Sequence, residues 1–324
     1  MSLEIEEMVR KHKALVLFSG GLDSMLAVEL LRRFGVEVAG IVFHTPFFTA
    51  GSAERASREL GLEIRVVDIT ARHLEVVKQP RFGYGKNLNP CIDCHALMAR
   101  VAMEHMRDMG AEFLASGEVL GERPMSQNRQ ALEHVSRLSG AGDLLLRPLS
   151  ARLLPLTRPE REGWIERDCL LDLRGRSRRR QIELALTWGI GEYESPAGGC
   201  LLTDPAFSER LGELMKRVED FDGTDIELLK VGRHFWVGDT LLVLGRRHAE
   251  NERLLELALP ADKLIKERER PGPTALLRSY PRAGRPARGS VEEAARLLGK
   301  YGKGKEPLGM DDIVEVEAPS GEEG

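Results

Sequence analysis

The stretch Ser19-Gly20-Gly21-Leu22-Asp23-Ser24 constrains this chain more than any other. Ahead of it, Ala14-Leu15-Val16-Leu17-Phe18 is an apolar run too short for a helix and predicts a buried strand. Behind it, residues 22–34 carry apolar side chains at helical spacing, with Leu26, Leu30 and Leu31 near one face. The six residues therefore form a turn from strand into helix. Two glycines let the backbone take positive φ and approach a ligand closely. The unpaired N–H groups of a first helical turn attract anions, phosphate above all. Ser19 and Ser24 add hydroxyl donors, and Asp23 can hold Mg2+ or orient a group at the phosphates. The same residues also suit a plain capped turn, but the density of the motif favours a phosphate site.

The pattern continues as strand and helix in alternation. Residues 37–43 and 63–67 predict further strands and 51–60 a helix; 70–90 read as irregular. A helix-like stretch follows Cys91-Ile92-Asp93-Cys94 as far as Met109, and residues 112–116 make a fourth strand. This alternation predicts an α/β fold, a parallel sheet with helices on both faces. Ligands in such sheets bind at the carboxyl ends of the strands, where His44 closes the second strand. Leu144–Leu149 is a short strand and turn, and helices are expected at 158–167 and 177–188. Arg178, Arg179 and Arg180 stand in an arginine cluster that suits either a solvated helix face or an RNA backbone.

The charge distribution divides the chain of 324 residues. Net charge is only −4, yet residues 230–305 hold 17 Lys/Arg against 9 Asp/Glu. The last stretch, 306–324, has seven acidic residues and no basic ones. The expected organisation is a nucleotide domain over 1–205 and a connecting helix over 206–229. A small basic α+β domain over 230–305 and a disordered acidic tail over 306–324 complete it. Strand-like runs at 235–244 and 274–278 and a helix near 290–301 mark the third part. No stretch of about 18 apolar residues is present, so no membrane span is expected. The opening MSLEIEEMVRKHK has no apolar core and does not read as a signal peptide, which makes the cytoplasm the expected location.

Four cysteines in a reducing compartment point to ligands or catalysts rather than disulfides. Cys169 lies in an apolar context and reads as a buried structural thiol. Cys91 and Cys94 form a Cys-X-X-Cys whose second member could open a helix. Cys200 follows Gly198-Gly199 in a turn. Three readings stand side by side: a structural zinc lacking an obvious fourth ligand, a redox pair, or a three-cysteine iron–sulfur cluster with one iron open.

These motifs together resemble the PP-loop ATPases of the tRNA thiolation class, above all the 4-thiouridine synthetases. Ser19–Ser24 is similar to their pyrophosphate loop. Residues 115–130, ASGEVLGERPMSQNRQ, resemble their Thr-Gly-Glu-X-Leu-Gly-Gln-X-X-Ser-Gln stretch, with Ser116 for Thr and Glu122 for Gln. Arg147-Pro148-Leu149 is similar to another of their elements, and Asn-Pro-Cys-X-X-Cys resembles the 2-thiouridine synthetases. The resemblance covers residues 13–205. Residues 231–305 instead resemble the NFACT RNA-binding domain, through Gly245-Arg246-Arg247 and the run to Leu254, Pro271–Thr274 and the helix from Ser290. The first strand begins near residue 14, so the N-terminal RNA-binding extension of the 4-thiouridine synthetases is not expected, nor a C-terminal rhodanese-like domain.

The resemblance implies an adenine nucleotide alpha hydrolase-like sheet and an ATP-dependent tRNA sulfurtransferase that forms thiouridine. It implies ATP held by Ser19, Gly20, Gly21, Asp23, Ser24, His44, Gly117, Glu118 and Gln127, with Mg2+ near Asp23. Catalysis would fall to Asp23, Cys94 and Cys200. A 4Fe–4S cluster would sit on Cys91, Cys94 and Cys200, with a persulfide or zinc as the alternatives. Arg178, Arg179, Arg180, Arg246 and Arg247 would meet RNA. The implied partners are tRNA and a sulfur donor, either a cysteine desulfurase or free sulfide; a homodimer is compatible. Two competing readings are a PP-loop ligase acting on a small molecule and a non-catalytic RNA-binding redox sensor.

Overall fold

A computed structural model describes residues 11–193, 200–282, 284–302 and 307–316. Its chain divides into two units, Met1–Thr203 and Asp204–Gly324. In the first, β1 (Lys13–Leu17) is the central strand of a five-stranded parallel sheet. Its neighbours are β2 (Glu37–His44), β3 (Ile64–Asp68), β4 (Phe113–Ser116) and β5 (Leu145–Leu146), in the order β3-β2-β1-β4-β5. Alternation along β1 builds two cores. Ala14 and Val16 pack with Val42, Phe113 and the helix α1 (Leu22–Arg33) on one face. Leu15 packs with Ile41, Leu114 and the helix α4 (Cys91–Met106) on the other. Covering on both faces explains why the strands read as unbroken apolar runs.

The remaining helices of this unit are α2 (Gly51–Glu59), α3 (Thr70–Lys78), α5 (Arg129–Ser139), the single turn α6 (Arg158–Arg161) and α7 (Arg179–Trp188). Two sequence expectations change here. Residues 70–78, read as irregular, are helical, because His73, Leu74 and Val77 supply a buried stripe. The helix expected over 158–167 lasts one turn, with Gly163 at φ 70° just beyond its end.

The second unit is an antiparallel sheet with helices. Its helices are α8 (Pro205–Arg217), α9 (Gly223–Leu229), α10 (His248–Leu257) and α11 (Arg288–Tyr301). Its strands are β6 (Arg233–Val237), β7 (Thr240–Leu244), β8 (Lys263–Glu267), β9 (Thr274–Ser279) and β10 (Ile313–Val316), in the order β10-β8-β9-β7-β6. The apolar run at 235–244 is a hairpin, not one strand, because Gly238 at φ 58° turns the chain. The acidic stretch 306–324 is not a tail throughout. Ile313–Val316 pairs with β8, and the buried Ile313 joins the core under α11. Residues 317–324 lie outside the described residues, as do 1–10 and Gly198-Gly199.

Candidate functional site

Strand order reverses between β1 and β4, and such a switch point opens a crevice at the carboxyl ends of the strands. A cavity of about 360 Å³ lies there. The loop between β1 and α1 forms one wall. Gly20 sits at φ 75°, and a Cβ on it would stand 2.7 Å from the backbone of Ala53. The loop is therefore pressed against α2 in a conformation only glycine holds without strain. Ser24 Oγ donates to the Gly21 carbonyl at 2.8 Å, and the Gly21 N–H donates to Ser19 Oγ at 3.3 Å. These bonds fix the turn while the first N–H groups of α1 face its N-terminal end.

The turn after β4 forms the opposite wall. A Cβ on Gly117 would lie 2.5 Å from the Asp23 carbonyl carbon, so this glycine lets the two loops touch. Glu118 lines the cavity and is held from three sides. Arg147 Nε and Ser116 Oγ donate to its Oε2 at 2.8 and 3.0 Å, and His95 Nδ1 lies 2.9 Å from its Oε1. Burial opposes its charge, but Arg147 and His95 outweigh burial and hold the carboxyl well below the usual carboxylate range. Gln127 also lines the cavity; its Oε1 accepts the Arg123 N–H at 3.1 Å. Phe18, Val42, Phe43, Phe48 and Met98 give the remaining wall an apolar surface suited to a flat ring.

Asp23 meets a carboxylate that the sequence reading did not place at the site. Asp23 and Glu122 line the same cavity and act on each other electrostatically. Burial raises both, and the field of Asp23 helps push Glu122 up to about 7. Arg178 opposes this from 3.9 Å to Asp23 and 3.8 Å to Glu122. Asp23 Oδ1 and Arg178 Nε are buried without a hydrogen-bond partner. Within the cavity, Asp23 and Arg178 thus have hydrogen-bonding capacity to spare.

Several expected site residues stand elsewhere. Arg178, expected on RNA, lines the cavity instead, because the chain entering α7 passes over Asp23. Arg179 and Arg180 are exposed but paired, with Glu183 and Asp172, each at 2.9 Å. Arg246 is exposed and clasped by Glu250, and Arg247 is exposed at the start of α10. His44 is half-buried at the end of β2, opposite Asp68, and is not among the cavity's lining residues. Glu122 and Arg123 are the charged cavity-lining residues that the sequence did not single out, and Arg178 was singled out for RNA rather than for the cavity; Glu122 had shown itself only as a departure from the Gln of the resembling motif.

Cys91, rather than Cys94, opens α4; Cys94 follows one turn on and donates its N–H to the Pro90 carbonyl. Cys200 lines the cavity, and the Leu201 N–H beside it reaches the Phe47 carbonyl at 3.0 Å. Burial raises all three thiols, Cys94 well above the ordinary value and Cys200 to about 11. Cys94 feels the charge of both other thiols, so the three are gathered in one region. Among the described residues, however, no three His, Cys, Asp or Glu side chains stand at a spacing that would hold a metal ion. The expected cluster set is thus chemically apt but not arranged as a ligand set. Cys169 is half-exposed in a turn, not buried, because Leu170 takes the core position beside it.

Comparison with known proteins bears on both units. Residues 12–137 match the family model of the tRNA methyl transferase HUP domain, and residues 232–323 that of the NFACT protein RNA binding domain. The tRNA-specific 2-thiouridylase MnmA of Methylobacterium nodulans is 29% identical over 150 residues, which is 40% of this chain and 39% of that protein. The MnmA of Brucella ovis is 28% identical over 146 residues, 40% of this chain and 37% of that one. The chain therefore spans about two fifths of the length of these curated relatives. Among solved structures, a 4-thiouridine synthetase in complex with RNA and bound ATP superposes with a TM-score of 0.37 at 20% identity. It covers 68% of this chain and 52% of its own. A predicted subunit of tRNA methyltransferase from Methanocaldococcus jannaschii gives 0.34 at 18% identity, covering 43% of this chain and 68% of its own. No helix among the described residues is long and apolar enough to cross a membrane.

Proposed function

From a chain that joins a PP-loop domain of the tRNA thiolation class to an NFACT protein RNA binding domain, we propose an ATP-dependent enzyme, acting in the cytoplasm, that replaces a uracil oxygen of tRNA with sulfur. The observation that carries this reading is the convergence of the Ser19–Ser24 turn, Glu118 and Cys200 on one cavity.

A uracil carbonyl oxygen is a poor leaving group. Attack of that oxygen on the α phosphate of ATP expels pyrophosphate and leaves an adenylated uracil. Ser19, Ser24 and the first N–H groups of α1 receive the departing pyrophosphate. Arg178 meets its charge from the opposite side. The partnerless Oδ1 of Asp23 and the adjacent Glu122 fit Mg2+, which when bound would neutralise phosphate charge. Glu118, kept ionised by Arg147, orients His95 at the cavity wall. The apolar surface of Phe18, Val42 and Phe43 takes the adenine.

The sulfur path runs through the thiols themselves. Cys200, which lines the cavity, carries a persulfide received from a sulfur donor such as a cysteine desulfurase. Its terminal sulfur bonds to the activated uracil carbon, and the bond from that carbon to the AMP oxygen breaks. Cys94 then attacks the inner sulfur and forms a Cys94–Cys200 disulfide as the thiouridine sulfur leaves. An external thiol reductant reopens the disulfide. The high thiol values of Cys94 and Cys200 mean that each proton must be lost during these steps.

The test is AMP release and thiouridine formation with bulk tRNA, ATP and a sulfur donor. Asp23→Ala should abolish AMP formation while RNA binding survives; AMP release by that variant at the wild-type rate removes the site. RNA-independent AMP release on a small acceptor would favour a ligase. Anaerobic protein with about four irons per chain, lost in Cys91→Ala, would move the sulfur from a persulfide to a 4Fe–4S cluster.

A further inference from the structure

The segment 79–90, between α3 and α4, touches the surroundings of every thiol at the site. The Phe82 N–H donates to Asp93, which lies between Cys91 and Cys94, at 2.9 Å. A Cβ on Gly85 would lie 4.0 Å from Cys91 Sγ. Asn87 Nδ2 donates at 2.8 Å to the carbonyl of Thr203, whose own N–H is bonded to the Cys200 carbonyl. The segment is therefore a strap bound to both cysteine-bearing stretches.

Four planar groups run in a row from this strap onto α5. The Arg81 guanidinium lies 6.0 Å from the Phe82 ring centre. The Phe82 and His134 rings are 4.6 Å apart and inclined by 35°. His134 Nδ1 is 3.0 Å from Arg137 Nη2. Arg81 and Arg137 are exposed, and both rings are half-buried. One residue of α5 beyond His134, Val135 lines the cavity. A row of two guanidiniums flanking two rings suits flat, anionic polymers. Unpaired RNA bases stack on aromatic rings and guanidinium planes, and the flanking cations meet phosphates.

We infer that the Arg81–Phe82–His134–Arg137 row is an RNA-binding surface, on which tRNA stacks unpaired bases beside the nucleotide that enters the cavity. The inference rests on the tRNA reading above and adds a contact that neither the arginines of α7 nor Arg246 and Arg247 supply. It also gives the strap a purpose: RNA seated there lies against the backbone that holds Cys91, Cys94 and Cys200 in place.

The experiment is tRNA affinity of the full chain by fluorescence anisotropy, for wild type, Phe82→Leu and Arg81→Gln/Arg137→Gln. ATP affinity without RNA is measured in parallel as the check on folding. Phe82→Leu keeps the apolar bulk and removes the ring, so tRNA binding should weaken about tenfold, the loss of one base stack. The double variant should weaken binding and lower its salt dependence. Ultraviolet cross-linking of wild type to tRNA should label the peptides carrying Phe82 and His134. Affinities within about twofold of wild type, or cross-links confined to residues 232–316, overturn the inference. So does loss of sulfur loading from a donor protein with tRNA affinity intact, since the row would then be a protein contact. A wild type that cross-links through the row yet forms no thiouridine sinks the proposed activity and leaves this surface standing.

Discussion

Arg147 Nε donates to Glu118 Oε2 at 2.8 Å, with the two side chains 6% and 10% exposed. Each nitrogen of the guanidinium is engaged: the other two reach Ser136 Oγ and the Leu132 carbonyl, each at 3.0 Å. Glu118 is thereby tied to α5 and presented to the cavity as an anion. Removing Arg147 leaves the buried Glu118 charge with only His95 and Ser116. Arg147→Met should cost about 3–5 kcal/mol at pH 7. The pH dependence follows from the depressed Glu118 value. Its stabilisation is present above the unfolded carboxyl value of about 4.3 and is lost as pH falls through the folded value. The gap between wild type and variant should therefore narrow near pH 3. Urea titrations at the two pH values measure it, and an equal gap at both would show that the ion pair is not its source.

The Asp23–Glu122 pair has the opposite sign. Glu122 is raised to about 7, so between about pH 4.5 and 7 the folded chain holds protons that the unfolded chain releases. Stability falls as pH rises through that window. Glu122→Gln removes much of the slope and should leave the metal-free chain about 1–2 kcal/mol more stable than wild type at pH 8. Denaturation in EDTA from pH 5 to 8 gives both slopes. Identical slopes would mean that Glu122 is not raised in the folded chain.

What was legible in the sequence was local. The Ser19–Ser24 turn lies in one short segment, and its strand, turn and helix each carry their own signal. Glu118 and Gln127 could be placed through a motif of the same kind. Arg178 could not, because it lies more than 150 residues from Asp23 and reaches it only once α7 packs on α1. In sequence it is one member of an arginine run, and such a run reads as surface. The same limit hid β8 and β10, where Lys-Leu-Ile-Lys-Glu and Ile-Val-Glu-Val are short, lack clean alternation and lie within strongly charged surroundings. The thiols were found as residues, but their arrangement depends on the strap at 79–90, whose bonds to Asp93 and Thr203 have no sequence signature.

The cysteines should differ sharply in reactivity. Cys169 is half-exposed, whereas Cys94 is buried and its thiol is raised furthest by that burial and by the neighbouring thiols. Brief alkylation with iodoacetamide at pH 7.5, followed by peptide mass spectrometry, should label Cys169 first and Cys94 last. Cys200, raised to about 11, should gain reactivity as pH increases toward that value. Fast labelling of Cys200 at neutral pH would contradict the half-buried, protonated thiol and would argue for an open sulfur site.

The second unit depends on one buried cation. Arg278 lies on β9 with its side chain 1% exposed, between Asp225 at 3.1 Å and Asp262 at 2.7 Å. Tyr280 Oη donates to the same Asp225 oxygen at 2.7 Å. The guanidinium thus joins β9 to α9 and to the turn before β8. Arg278→Met fills similar volume but leaves the buried Asp262 without an ion-pair partner, and Asp225 with Arg282 and Tyr280 alone. A loss of about 3–5 kcal/mol is expected. Asp225→Asn/Asp262→Asn/Arg278→Met removes all three charges together and should recover part of that loss, because the unpaired Asp262 carboxylate goes with the cation. Thermal unfolding of the two variants decides the matter. If the triple variant is no more stable than the single one, Arg278 acts through its packing and hydrogen bonds rather than through charge.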